Sequence, residues 1–395
     1  MLLYIHVPFC RSKCHYCAFF SQPLGEGGHD RLISGYLTSL RHEIELWAGR
    51  LGNVPVETVF FGGGTPSLLP PKGVARILES ISKHFSLASN PEITMEANPD
   101  SALAPFWMRD VHRAGVNRLS LGIQSLDDRT LALLGRIHTA REAMEAYDVA
   151  RVVGFGSVSV DMMWGLPGEG RGQQLRHWLR DLRTLASMRP DHLSAYNLTL
   201  EPGSPLAERM EKGDVAPVGE KEQADMFMQG AEYLESQGLM QYEISNFARL
   251  GFVCRHNLAC WEGTPYIGLG PAAASTLGTM RWTNPENLAE WQAAVKNGAI
   301  GTVKAGAMEI LDPLTLRKEM LMLSLRTAKG LSLARWKKQT GRSFLRDHGS
   351  LVTLLVKNNL ATTRNGTFRL TRPGMLVSNT IIEHFFRDMG EEGAS

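Results

Sequence analysis

Cys10-Arg11-Ser12-Lys13-Cys14-His15-Tyr16-Cys17 follows directly on the apolar run Leu2 to Pro8, and its reading governs the rest of the chain. Three thiolates in one short loop can hold three corners of an iron–sulfur cube. The two remaining cysteines, Cys254 and Cys260, are far away in sequence, so one iron is left open to a small chelating molecule. A zinc knuckle is the alternative, but structural zinc needs four closed ligands and usually pairs two C-x-x-C halves. His15 would serve as a fourth ligand only by straining a loop already committed to three.

With 395 residues, 43% hydrophobic and 21% charged, the chain has a globular composition and room for one large domain and a smaller one. A formal net charge of +2 makes no electrostatic case for nucleic acid, and at most peripheral contact with a membrane. The cysteines are reached by residue 10, leaving no space for a signal peptide. No apolar run approaches the roughly 20 residues of a membrane span. Five cysteines, three of them crowded in a metal loop, suit a reducing compartment. A cytoplasmic protein is expected.

From residue 1 to about 200, short β-rich runs alternate with amphipathic stretches. The expected strands are Leu2 to Val7, Glu57 to Phe61, Glu92 to Glu96, Arg118 to Ile123, Ser157 to Met163 and His192 to Leu198. Helices are expected between them, at Arg31 to Leu46, Lys72 to His84, Ala104 to Arg113, Arg141 to Val152 and Gln173 to Leu185. A repeat of that length predicts an α/β fold, a curved parallel sheet with helices outside. Its six strands fall short of a closed eight-stranded barrel. Functional residues in such sheets collect at the carboxyl ends of the strands.

The candidate motifs fall at those ends. Phe61-Gly62-Gly63-Gly64-Thr65-Pro66-Ser67 follows the second expected strand. Its glycines let backbone approach a ligand closely, although a glycine run alone marks no more than a tight turn. Glu96-Ala97-Asn98-Pro99 ends the third strand, and Gly122-Ile123-Gln124-Ser125 ends the fourth, with Arg136 on the next helix. The fifth carries Asp161 within Val160-Asp161-Met162-Met163-Trp164-Gly165. Singly, each polar residue reads as a cap or an ion-pair partner. Together they offer carboxylates and an amide to ribose hydroxyls and adenine edges, and a guanidinium to a carboxylate.

The cysteine triplet resembles the radical SAM superfamily signature, with an aromatic residue, Tyr16, before its third cysteine. The strings YIHVPFC, FFGGGTPSLL, MEANPD, LGIQS and DMMWGLPG resemble the HemN/HemW family over nearly the whole chain. That family joins oxygen-independent coproporphyrinogen III dehydrogenase (the coproporphyrinogen III oxidase-like branch) to the haem chaperone HemW. The resemblance implies a partial (β/α)6 TIM-like radical SAM barrel with a 4Fe-4S cluster on Cys10, Cys14 and Cys17. S-adenosylmethionine (SAM) would chelate the open iron. Tyr4, Tyr16, Gly63, Gly64, Thr65, Glu96, Gln124, Arg136 and Asp161 would surround the two cofactors. Family members often carry Phe in place of Tyr16, which keeps the ring.

Two features point to the chaperone branch. The dehydrogenase branch carries an extension ahead of its cysteine loop, and this chain starts almost at the loop. Arg255-His256-Asn257-Leu258-Ala259-Cys260-Trp261 resembles the haem-associated motif H-N-x-x-Y-W, with Cys260 in the Tyr position. The resemblance makes His256 an axial or attachment ligand of haem, with Cys254 and Cys260 as soft donors nearby. The small residues of Tyr266 to Ser275 suit either close approach of a flat ligand or tight packing.

Past residue 305 the pattern turns helical: Leu314 to Leu325, Leu331 to Gln339 and Phe344 to Asn358, then a Thr363 to Leu370 hairpin with an Asn-Gly turn, and a closing helix from Leu376 to Phe386. That order resembles the family's C-terminal winged-helix-like module, here a lid or docking surface. The expected division is a radical SAM core at 1–215, an extension with the HNLACW segment at 216–305, and the C-terminal domain at 306–395. The expected function is a haem chaperone that delivers haem to acceptor proteins, respiratory ones among them, in a chain able to form a homodimer. The alternative is the dehydrogenase, which needs an electron donor to cleave SAM and decarboxylates two propionates. A third reading is an interaction protein that uses a metal-stabilised loop as scaffold. No residue is assigned as catalytic.

Overall fold

The computed structural model describes residues 1–24, 29–302 and 308–391. The first strand, β1 (Leu2–Val7), is buried at every position but Tyr4, as expected of a strand in a parallel sheet covered on both faces. The strands after it are β2 (Pro55–Gly63), β3 (Ser86–Ala97), β4 (Arg118–Gln124), β5 (Ser157–Trp164) and β6 (His192–Asn197). All six pair in parallel, in chain order. Outside them run α1 (His29–Leu51), α2 (Pro71–His84), α3 (Trp107–Arg113), α4 (Ala140–Val153) and α5 (Leu175–Ser187). Helix α1 buries Ile33, Tyr36, Leu40, Ile44 and Trp47, the three-to-four spacing of a single apolar face. Helix α4 starts at a Thr139/Glu142 capping box and stops at Gly154, whose φ of 88° lies in the left-handed region. The partial six-strand barrel expected from the sequence is present.

The sheet also grows at both edges. Further along are α6 (Glu220–Ser236), β7 (Met240–Gln241), β8 (Asn246–Ala248), α7 (Arg255–Trp261), β9 (Tyr266–Leu269), β10 (Ala274–Leu277), β11 (Met280–Thr283), α8 (Leu288–Lys296) and β12 (Met308–Ile310). Among the described residues the sheet has twelve strands, in the order β12-β11-β10-β9-β1-β2-β3-β4-β5-β6-β8-β7. Strand β9 lies parallel to β1 and adds a seventh parallel strand, which the sequence pattern did not reveal. The small residues of Tyr266 to Ser275 are there for packing: a Cβ on Gly268 would meet the Ala274 carbonyl oxygen at 2.1 Å, and one on Gly270 the His6 carbonyl oxygen at 2.5 Å.

Phe247, Ile267, Leu269, Trp282 and Trp291 belong to the same hydrophobic core as the barrel, so the segment after residue 215 completes that core. A separate core, built on Leu321, Leu325, Trp336, Phe344, Phe368 and Phe385, organises the C-terminal residues. The boundary expected at 305 and 306 lies outside the described residues.

The C-terminal elements are α9 (Pro313–Leu325), β13 (Leu331–Ser332), α10 (Leu333–Thr340), α11 (Gly349–Lys357), β14 (Ala361–Arg364), β15 (Thr367–Leu370) and α12 (Ser378–Glu391). Three expectations are corrected here. Leu331 and Ser332 form a strand against Phe368 and Thr367 rather than the start of a helix, giving the wing a third strand. The helix expected over Phe344 to Asn358 breaks at His348 (φ −116°, ψ 24°). The closing helix begins at Ser378, after a short turn at Arg372–Leu376. The hairpin turn is as expected, with Asn365 at φ 50° and Gly366 at φ 73°, the backbone of a two-residue turn that twists with its strands.

Candidate functional site

The cysteine loop leaves the carboxyl end of β1 and is held by backbone bonds. Phe9–Cys10 pairs in parallel with Gln22–Pro23, and the Leu24 N–H donates to the Cys10 carbonyl at 2.8 Å. The glycine segment closes on the same stretch, with Gly64 N–H donating to Val7 O at 2.8 Å and Thr65 N–H to Phe9 O at 2.7 Å. A Cβ on Gly64 would stand 2.6 Å from Phe9 O and 3.1 Å from Cys10 Sγ, and one on Gly63 would stand 2.6 Å from the His6 ring. The lack of side chains at these glycines admits the chain's own cysteine loop. Strand β2 extends into them because its ladder with β1 continues to Val7 and Gly63.

All three thiols are free and partly exposed. The His15 ring turns its Nδ1 to the Leu133 carbonyl at 2.8 Å, and its backbone N–H donates to Leu134 O at 3.0 Å. Among the described residues, no group of three or more His, Cys, Asp or Glu side chains converges on one point. Tyr16 packs its ring against the cluster of Leu134, Met163, Leu166, Leu206 and Val215, anchoring the loop beside Cys17.

Facing the thiols, Arg136 donates from Nη2 to Asn98 Oδ1 and to Gly122 O, both at 2.7 Å, and from Nη1 to Cys14 Sγ at 3.5 Å. Its Nε is buried without a partner, as is Asp100 Oδ1. Asn98 also donates to Thr65 Oγ1 at 3.3 Å, and Thr65 Oγ1 donates to Cys10 Sγ at 3.5 Å. Gln124 reaches the same point: a Cβ on Gly122 would meet Gln124 Nε2 at 2.9 Å and Arg136 Nη2 at 3.3 Å. Gln124 has a φ of 68° at a register shift in β4, a conformation that costs energy in a non-glycine residue and aims its side chain inward. Asn98 is absent from the expected site set, although its place right after Glu96 at a strand end is the signal that would have found it.

Below this mouth the barrel holds a cavity of about 310 Å³ lined in part by Tyr4, Phe60, Glu96, Asp161, Tyr196 and His256. Burial, reinforced by the Asp161 carboxylate, pushes the Glu96 pKa up to about 8. Asp161 is also raised by burial, while accepting bonds from Ser194 Oγ at 2.7 Å and Ser120 Oγ at 2.9 Å. Tyr4 OH lies 3.2 Å from His6 Nδ1, whose ring Nε2 is 2.8 Å from Phe20 O. His6 shares the inward face of β1 with Tyr4 by strand alternation, a second residue the sequence reading passed over.

His256 sits at the opposite end of the barrel from the cysteines. Its Nδ1 is 2.7 Å from Thr58 Oγ1 near the start of β2, its ring lies 4.9 Å from the Phe60 ring, and its N–H donates to Glu92 Oε1 at 2.8 Å. Burial lowers its pKa to about 4. At about 3.3 Å per residue, the run of β2 from Thr58 to Gly63 puts roughly 16 Å between this floor and the mouth. Cys254 is buried and donates to Glu92 Oε1 at 3.6 Å; burial pushes its thiol up to about 12. Cys260, a turn beyond His256 on α7, remains partly exposed.

Residues 4–181 match the model of the radical SAM superfamily and 311–377 that of the HemN C-terminal domain. Escherichia coli coproporphyrinogen III oxidase (HemN), whose structure is described as that of a radical SAM enzyme, superposes with a TM-score of 0.81 at 22% identity, covering 97% of this chain and 89% of that one, which establishes the shared fold. The haem chaperone HemW of Mycobacterium tuberculosis is 38% identical over 84% of this chain and 83% of its own length. The haem chaperone HemW of Bacillus subtilis is 31% identical over 98% of this chain and 99% of its own. The chain belongs to the HemW family of the radical SAM superfamily. Membership implies SAM and a 4Fe-4S cluster as the family's cofactors, and the mouth fits them: three soft, partly exposed thiols stand beside a guanidinium with one buried N–H unpaired. Among the described residues, no helix is long and apolar enough to cross a membrane.

Proposed function

We propose that this HemW-family chain is a haem chaperone, holding a SAM-ligated 4Fe-4S cluster at the barrel mouth and passing haem to acceptor proteins. The observation that carries this reading is the match, over nearly the full length of both chains, to relatives named as haem chaperones. A 4Fe-4S cluster supplies one-electron chemistry and an iron with an open coordination position. In this reading Cys10, Cys14 and Cys17 hold the cluster. Arg136 turns its unpaired Nε toward the SAM carboxylate, and Asn98 fixes the guanidinium in place. Gln124 and Thr65 line the same mouth. Glu96, whose pKa burial raises to about 8, and Asp161, whose pKa burial also raises, present hydrogen bonds to ribose and adenine, and Tyr4 with Phe60 walls water from the interior. Residues 1–215 form the cofactor core, 216–305 close its edge and floor, and 306–395 supply the docking unit. A homodimer and an electron donor belong to the same proposal.

The test is an anaerobic, reconstituted preparation assayed in parallel for haem binding, for haem transfer to a haem-free acceptor and for conversion of coproporphyrinogen III. Haem binding and transfer without conversion are expected. Conversion to protoporphyrinogen IX with SAM consumption and no haem binding would replace this reading with the dehydrogenase.

A further inference from the structure

The outer wall of the barrel carries a groove of about 540 Å³ between α1 and α2, reaching Arg11 in the cysteine loop. Its floor is apolar. Leu37 and Leu68 are half-buried there, above the buried Leu69, Ile77 and Trp107, and the Trp107 Nε1–H donates to Leu69 O at 3.0 Å, which fixes the floor in place.

The rim is basic. Arg41 on α1 and Lys72 and Arg76 on α2 are exposed and make no ion pair or side-chain hydrogen bond among the described residues. Lys72 and Arg76 stand four positions apart on one face of α2, where like charges repel and cost the helix stability. Asp30 is the single acidic residue in the lining. With Arg11, four cations face that one carboxylate, an excess larger than the +2 of the whole chain. The positive charge of the protein is therefore concentrated on this face.

Arg11 joins the groove to the barrel mouth. It follows Cys10 directly, is held by Asp100 at 3.1 Å, and lines a small recess with Cys14 and Arg136. A body seated in the groove reaches the edge of the cysteine loop without entering the barrel.

We propose that this groove docks an acidic one-electron carrier protein, which reduces the cluster from outside the barrel. The proposal rests on the reading that Cys10, Cys14 and Cys17 hold a 4Fe-4S cluster, and it names the partner of that site. One electron leaves the reduced carrier and enters the cluster, so the carrier is oxidised and the cluster reduced by one electron each. An apolar centre inside a charged rim is the anatomy of a protein interface rather than of a phosphate track. Redox encounters bury little surface and draw their rate from complementary charge, which the unpaired cations supply toward an acidic face.

Stopped-flow reduction of the full-length, anaerobically reconstituted protein by flavodoxin hydroquinone, an acidic carrier, tests this. Dithionite, a small reductant that needs no docking face, is the reference, and the visible absorbance of the cluster reads both rates. Arg41→Glu with Arg76→Glu is expected to slow reduction by flavodoxin roughly tenfold or more and to remove most of its salt dependence. Dithionite should reduce this variant and the parent at rates within about twofold. Arg176→Glu with Arg183→Glu, the same charge change on α5, should leave both rates within about twofold of the parent. A flavodoxin rate unchanged in the groove variant, or lost equally in the α5 variant, overturns the docking face. So does a parent that dithionite reduces and flavodoxin does not, or a dithionite rate that falls with the flavodoxin rate. A parent that assembles no cluster overturns the cluster reading as well, whereas haem binding and transfer test the chaperone reading separately.

Discussion

Gly64 shows how tightly the glycine segment packs on the cysteine loop. A Gly64→Val side chain would collide with Phe9 O and Cys10 Sγ, so iron content and SAM affinity should fall together, as they should in Cys14→Ala. Iron analysis and anaerobic calorimetry read the two quantities, and a variant with full iron but weak SAM binding would contradict the packing assignment. His256 gives a second residue-level outcome. Its folded pKa is lowered to about 4 by burial, whereas the unfolded chain protonates near 6.5. The unfolded state binds the extra proton between those values, so this group's contribution to stability is lost as pH falls from about 6.5 to about 4. His256→Asn should flatten the urea-midpoint profile across that window relative to the parent, and parallel profiles would rule the effect out.

The first turn of helix α7 is capped by a single carboxylate. Glu92, 7% exposed, accepts the Arg255 and His256 N–H groups at 3.0 and 2.8 Å, donors that open the helix and have no partner within it. Negative charge at that end also meets the positive pole of the helix. Glu92→Ala should cost roughly 3 kcal/mol by leaving buried donors unpaired. Denaturant titration gives the number, and hydrogen exchange should show the loss concentrated in residues 255–261. A drop below about 0.5 kcal/mol would mean that water replaces the carboxylate. The sequence showed the HNLACW segment but not this partner, because Glu92 lies 164 positions before His256 and no local pattern links the two.

At the scale of the molecule, two hydrophobic cores meet along a groove. Removing residues 308 to 391 should leave the barrel core, the cluster loop and iron loading in place, because the larger core draws nearly all its members from the remaining chain. Iron analysis of the truncated chain after anaerobic reconstitution reads the outcome. Iron content below half that of the parent would show that the barrel core depends on the C-terminal unit.

The sequence by itself determined the features whose evidence is local. The cysteine triplet packs its donors into one loop, alternating strand and helix periods give a six-strand parallel sheet, and Asn365-Gly366 fixes the hairpin turn. Periodicity tells which face of an element is buried, but it carries no information about which distant element will cover that face. The tertiary structure therefore decided the rest. It brought Arg136 to Cys14 across 122 positions, set β9 beside β1 as a seventh parallel strand, and turned His256 into the barrel floor. It also left Cys260 facing an apolar slot whose far wall belongs to the C-terminal unit. Each of these contacts exists only because closing the sheet and docking the second core place remote residues within hydrogen-bonding or van der Waals reach.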